Sequence, residues 1–298
     1  MTLPPGTHSC AFCRDGRLLH LFTGSDRNQN TTERRFSIAR CGNCGVVQTM
    51  PQPEAHEFAA MYPPQYYPAL VGQDAQRESQ QDKIGLVRRN RTTGRLLDVG
   101  AGVGLFVREA IDAGYDAHGL EISAQAVETG IAALKVPLTC GDFLTTEMSA
   151  ADYDMVTFWH VFEHLADPRA ILAKVHHILR PSGKVIIAVP NFDSMQSRVF
   201  RSRWYHIDVP RHLFHYTPRT LGVVVEQSGF WLEDVQYGWR DHDRAGILGS
   251  IMRLSPPGES LVHKSVRKIA GMPIAGALAR LESSMHSGGA FALVATKE

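Results

Sequence analysis

Apolar positions between residues 94 and 189 come in short runs, each followed by a stretch with helical spacing. That pattern predicts parallel strands alternating with helices. Leu96-Leu97-Asp98-Val99 reads as a buried strand, residues 103–113 as a helix and 115–121 as a second strand. A third strand ends near Cys140, a fourth runs over 153–160, and a fifth over 184–189 follows a hairpin at 179–184. A helix at 218–228, a strand at 230–237 and an antiparallel closing strand at 290–296 complete a doubly wound, seven-stranded α/β sheet. The remaining segments are patterned differently. Residues 17–23 and 33–40 alternate as short strands, 50–73 is a linker rich in Pro and Tyr, and 74–93 reads as a polar helix. Residues 190–217 form a long aromatic connection, and 241–288 is an insertion with apolar helical stretches at 246–254 and 269–281.

The junction after the first strand carries candidate chemistry. Gly100, Gly102 and Gly104 are spaced G-x-G-x-G, one residue tighter at the end than the dinucleotide fingerprint. Such a loop brings main-chain N–H groups against a ligand. Glu121, ending the second strand, can accept hydrogen bonds from vicinal ribose hydroxyls. Asp142 offers an acceptor to an exocyclic amine, and Phe143 a flat face to a purine. His160 lies at the end of the fourth strand. Each residue also has a plain reading as a helix-capping acid, a turn former or a core ring. Their joint placement at the carboxyl ends of successive strands points to one nucleotide crevice.

These marks are joined by Trp159-His160-Val161-Phe162-Glu163-His164-Leu165 and Leu179-Arg180-Pro181-Ser182-Gly183-Lys184. With them, residues 95–189 resemble a class I S-adenosylmethionine-dependent methyltransferase. The resemblance implies a Rossmann-like sheet in which Asp98 and the loop of Gly100, Ala101, Gly102 and Gly104 hold the methionine end of S-adenosylmethionine. It further implies Glu121 at the ribose and Asp142 with Phe143 at the adenine, with Ile122 and Trp159 also at the cofactor. Methyl transfer is an in-line displacement that needs alignment and, for a protonated nucleophile, a base. In this fold the end of the fourth strand faces the methyl group, so His160 is the first candidate. His164 and His212 are further candidates, with substrate positioning or loop packing as the plainer role for each. His212 and His215, in the 190–217 connection, can swing toward the same crevice, with Arg211 able to hold an anionic substrate by paired hydrogen bonds, or these residues pack within their own loop. The region also resembles ubiquinone-biosynthesis O-methyltransferases, in which an E-x-x-E-H segment gathers a divalent cation. Here the segment begins at His160 and lacks the first carboxylate, so no catalytic metal is expected.

Cys10-Ala11-Phe12-Cys13 and Cys41-Gly42-Asn43-Cys44 form two C-x2-C knuckles separated by 27 residues. Four thiolates at Cys10, Cys13, Cys41 and Cys44 suit a closed, structural Zn²⁺ site. This reading is preferred to two disulfides or incidental thiols. Cys140 is expected in the core. The domain reading is therefore a zinc-ribbon-like module over 1–50, a linker and leading helix over 51–93, and a methyltransferase domain over 94–298. The insertion at 241–288 would act as a lid or an apolar helical surface. Tyr66 or Tyr67 would fold over the cofactor pocket or glue the module to the main domain.

The 298 residues carry a formal net charge of +1, with 44% hydrophobic and 20% charged residues, as expected of an ordinary globular protein. No dense basic face suggests nucleic acid as a partner. Neither a signal pattern nor a run long enough to span a bilayer is seen, so a cytoplasmic protein is expected. Trp204-Tyr205 and the segment from Pro210 to Pro218 resemble a bacterial branch with N-terminal zinc modules that includes sugar methyltransferases. The resemblance implies a small-molecule or glycan acceptor methylated on oxygen. Carbon methylation of a nucleotide-linked sugar and RNA methylation, with the zinc module gripping nucleic acid, are the alternatives. The apolar stretches over 245–281 suggest a lid, a dimer contact or a peripheral membrane contact. The oligomeric state is not readable from the sequence.

Overall fold

In the computed structural model, the apolar runs become the strands of one large sheet. The structure describes residues 9–54, 57, 61, 73–254 and 260–298; Tyr66 and Tyr67 lie outside them. The chain forms two units, one of residues 1–63, 189–221 and 236–291, the other of 64–188, 222–235 and 292–298.

The second unit holds most of the seven-stranded sheet. Its strands are β4 (Arg95–Val99), β5 (Asp116–Glu121), β6 (Leu138–Cys140), β7 (Tyr153–Trp159), β8 (Leu179–Pro190), β10 (Phe230–Gln236) and β11 (Ala290–Lys297). They are ordered β10-β11-β8-β7-β4-β5-β6. β4 pairs in parallel with both β5 and β7, β5 with β6, and β7 with β8. The winding reverses between β4 and β7, which opens a crevice at their carboxyl ends. Helices α1 (Gln73–Asn90), α2 (Leu105–Asp112), α3 (Ala124–Leu134) and α4 (Pro168–Ile178) cross between or precede these strands. α3 begins where Ser123 Oγ accepts from Ala126 N, and α4 where Asp167 accepts from Ala170 N with Pro168 in the first turn.

Two local expectations change. The hairpin at 179–184 and the strand at 184–189 are one strand, β8. Its register against β7 jumps from Leu179 to Lys184 while β7 advances from Tyr153 to Met155, so Pro181, Ser182 and Gly183 bulge out. Cys140 is exposed, not core, because β6 is the outermost strand and covers nothing.

The first unit contains a four-stranded sheet, β1 (Leu18–Ser25), β2 (Arg35–Cys41), β3 (Val47–Met50) and β9 (Phe214–His215), in that order. The first two strands match the alternation in the sequence, whereas β3 and β9 were not legible. β9 is recruited from the 190–217 connection by antiparallel pairing of Val47 with His215 and Gln48 with Phe214. The same connection supplies Trp204, Ile207 and Val209 to a core with Phe36, Ile38 and Val47. Helix α5 (Met195–Phe200) also belongs to this unit, as do the two insertion helices α7 (Arg240–Met252) and α8 (Leu261–Ser284). α6 (Pro218–Glu226) runs from one unit into the other. Among the described residues, no helix is long and apolar enough to cross a membrane.

Candidate active site

The turn leaving β4 is built to expose main chain. Gly100 N and Ala101 N both donate to Leu120 O, at 2.8 and 3.1 Å, which binds the loop to the end of β5. Gly100 (φ 72) lies against Val161: an added Cβ would come within 2.4 Å of its Cγ2. Gly102 (φ 55) is different, since a Cβ there would meet nothing within 4 Å. Its N–H donates to Glu121 Oε2 at 2.9 Å, while Glu121 Oε1 accepts from Ser123 N at 2.9 Å. Ile122, the next residue, is 67% exposed.

Asp98 is buried at the end of β4 and accepts from Thr157 Oγ1 at 2.8 Å. Burial pushes its carboxyl up to about 7; the Glu121 charge adds to this, while Thr157 and Lys83 oppose it. Lys83, from α1, is lowered to about 8 by burial, which the Asp98 charge counters. Its Nζ lies 5.4 Å from the Trp159 ring centre and 5.9 Å from that of Phe106, and these two rings pack edge to face. Sequence reasoning missed Lys83, because one lysine on a polar helix carries no signal until the fold half-buries it within reach of the Asp98 charge.

His160 follows β7 with φ 58, a left-handed backbone that is uncommon for an imidazole residue and is typically held by its surroundings. Its N–H donates to Ala188 O, and its Nδ1 lies 3.8 Å from the buried carboxylate of Glu163. His164 closes the short 3₁₀ turn Phe162–His164, its N–H bonded to Val161 O. Asp142 Oδ1 accepts from Leu144 N and Thr145 N, capping its own turn. The Phe143 ring is buried rather than presented, packed edge to face on Phe158 with Lys174 Nζ 5.3 Å from its centre.

The second unit therefore brings together Asp98, the glycine loop, Glu121, Ile122, Trp159 and His160 at the carboxyl ends of β4, β5 and β7. His212 belongs to the first unit. It is buried there, with Nδ1 bonded to the His206 carbonyl at 2.9 Å and Nε2 3.9 Å from Asp208. Arg211 corrects the expectation of an anion clamp. Its guanidinium is fully buried and donates to Asp26 and Asp208, whose carboxylates hold it above its ordinary pKa against the burial that would lower it. His215 is likewise structural: Thr49 Oγ1 lies 3.0 Å from its Nε2, and burial pushes the ring down to about 3.

In the first unit, the ligand atoms of Cys10, Cys13, Cys41 and Cys44 all lie within 4.8 Å of one another. Cys10 and Cys44 sulfurs are 3.6 Å apart, as are those of Cys13 and Cys41, and all four cysteines are free. Four sulfurs at about 2.3 Å around one tetrahedral ion would stand nearly that far apart. Asn43 N and Cys44 N both point at Cys41 Sγ, at 3.4 Å, a donor set that suits a thiolate. Burial drives Cys10 up to about 11 and Cys44 higher still. Against that same burial, the Asp15 amide and the neighbouring thiols bring Cys13 down to about 7. The donor set fits a thiophilic divalent ion, which would replace thiol protons with a shared positive charge.

A family model described as "Methyltransferase domain" matches residues 73–235. The ubiquinone biosynthesis O-methyltransferase of Xanthomonas axonopodis pv. citri is 26% identical over 168 residues, covering 50% of this chain and 70% of the relative. That of Pectobacterium atrosepticum is 28% identical over 103 residues, covering 33% of this chain and 43% of the relative. A solved S-adenosylmethionine-dependent methyltransferase from Archaeoglobus fulgidus shares the fold, with a TM-score of 0.52 at 20% identity over 74% of this chain and 94% of that one.

Proposed function

Because the chain belongs to the methyltransferase domain family and is an S-adenosylmethionine-dependent enzyme, we propose that it methylates an oxygen of a small molecule: a sugar, a glycan precursor or a related secondary metabolite. The observation that carries the cofactor reading is the open face at Gly102, where a Cβ would meet nothing, beside a carboxylate with acceptor positions to spare. An ionised carboxylate accepts about four hydrogen bonds. Glu121 uses one on Gly102 and one on Ser123, which leaves two for the ribose hydroxyls. Ile122 gives the adenosine an apolar contact, and Asp142 has acceptor capacity beyond its two amides. Asp98 binds the methionine ammonium, and Lys83, coupled to Asp98, complements the methionine carboxylate. Trp159 and Phe106 shield that end from water.

When bound, the cofactor supplies a methyl carbon activated by a sulfonium. His160 takes the proton of the acceptor hydroxyl, and Glu163 beside its Nδ1 steadies the imidazolium that forms. A base so placed adds about 10²–10⁴-fold, while alignment of the hydroxyl provides the larger share. The names of the curated relatives support oxygen as the attacking atom. We assign the four cysteines to a structural Zn²⁺ that holds the 1–50 module and takes no part in the reaction.

The test is incubation of the full chain with isotopically labelled S-adenosylmethionine and fractionated hydroxylated metabolites and glycan precursors, read by mass spectrometry. A labelled methyl ether on a small molecule is expected. Label on a carbon, or only in RNA, would overturn the assignment of the acceptor.

A further inference from the structure

Thr157 carries the one hydroxyl in the buried run from Met155 to Trp159 of β7. A parallel strand covered on both faces is ordinarily apolar throughout, and a hydroxyl taken out of water there needs a partner. The ladder supplies one. Asp98 of β4 stands directly beside Thr157, so the two side chains leave the sheet on the same face. Thr157 Oγ1 donates to Asp98 Oδ1 at 2.8 Å, with the Leu97 carbonyl a distant second acceptor at 3.5 Å. Both side chains are buried, Thr157 completely.

Among the described residues, this hydroxyl is the one donor within hydrogen-bond distance of the Asp98 carboxylate. The charged groups around it pull in opposite directions. Lys83, half-buried on α1, favours the anion, while Glu121 at the end of β5 opposes it. Burial opposes it most, and the carboxyl sits up at about 7. Near neutral pH, a single donor therefore weighs on whether Asp98 is charged, since a hydrogen bond to the anion favours that form. The distinction matters for a cationic ligand. An ionised carboxylate binds an ammonium with a charge-assisted hydrogen bond, which a neutral acid does not provide.

We propose that Thr157 is a positioning residue for cofactor capture: its hydroxyl keeps Asp98 ionised and fixes the turn of the carboxylate, leaving Oδ2 for the methionine ammonium. The inference rests on the reading of Asp98 as the ammonium partner, and Thr157 acts through Asp98 rather than on the cofactor.

Titration calorimetry of the full chain with S-adenosylmethionine between pH 6 and 8.5, with melting curves alongside, tests it. Thr157→Val keeps the shape and removes the donor, whereas Thr157→Ser keeps the donor and removes a buried methyl. Thr157→Val should bind about tenfold more weakly at pH 7. Its affinity should also be lost at a higher pH than the parent's, so the deficit narrows as pH rises. Lys83 and Glu121 are common to both proteins, and the difference between the two curves reads Asp98. Thr157→Ser should melt below the parent yet bind within about twofold of it. Affinity that follows the methyl instead of the hydroxyl would overturn the proposal, as would a Thr157→Val deficit equal at every pH. Asp98→Asn separates the proposal from the reading beneath it. If that variant loses about tenfold or more while Thr157→Val binds as the parent does, the role of Thr157 alone falls. Undiminished binding in Asp98→Asn would remove the ammonium partner and the proposal together.

Discussion

Adding a methyl group at Gly100 and at Gly102 should separate folding from cofactor binding in a loop where both glycines have positive φ. At Gly100 the new Cβ would lie 2.4 Å from Val161 Cγ2 and 2.8 Å from Cγ1, at φ 72. The left-handed conformation costs an L-residue roughly 1–2 kcal/mol. Forcing a methyl into packed side chains costs about 1–3 kcal/mol more. Gly100→Ala should therefore destabilise by about 2–5 kcal/mol, and melting falls by roughly 2–4 °C per kcal/mol in a chain of this size class. Gly102→Ala incurs only the backbone cost, since nothing lies within 4 Å of its Cβ. Its new methyl would instead project into the space assigned to the cofactor and should weaken S-adenosylmethionine about tenfold or more. Differential scanning fluorimetry gives the first quantity and titration calorimetry the second. Equal melting losses for the two variants would refute the packing argument. Undiminished cofactor affinity in Gly102→Ala would refute the placement of the cofactor.

Three further outcomes are expected. His160→Ala should lower kcat by about 10²–10⁴-fold while leaving cofactor affinity intact; an unchanged rate would move the base to His164 or His212. The purified protein should carry one zinc per chain by metal analysis, and Cys41→Ser should lose it and loosen the first unit; native protein free of zinc would dismiss that assignment. The buried Asp243 accepts from Ala290 N at 3.0 Å, and burial, with the nearby Glu282 charge, raises its carboxyl from 3.8 to about 7. Between about pH 4 and 7 the folded protein keeps a proton that the unfolded chain releases, so this group's contribution to stability falls as pH rises through that window. Asp243→Asn should remove that slope from urea midpoints measured at pH 5 and 8, and a slope equal to the parent's would contradict the linkage.

Local patterning already carried the sheet, the glycine loop and the cysteine spacing. A strand buried on both faces must be apolar throughout, a loop against a ligand must yield its side chains, and each C-x2-C knuckle is closed within four residues. Leu96–Gly104, Glu121 and the two C-x2-C pairs therefore announce themselves without partners. The 190–217 connection shows where that reasoning stops. Arg211 looked like an anion clamp and His215 like a site residue, but Arg211 is matched by Asp26, 185 positions earlier, and His215 is buried against Thr49. A charged or ring residue looks the same in sequence whether a distant element will cover it or not. The same holds for Lys83, coupled to Asp98 only by the docking of α1, and for Cys140, exposed by an edge position. Periodicity over ten or fifteen residues records which face of an element is apolar. Only the tertiary structure decides what that face meets, because the cost of burying a charge or exposing an isoleucine is set by the neighbours that long-range folding brings.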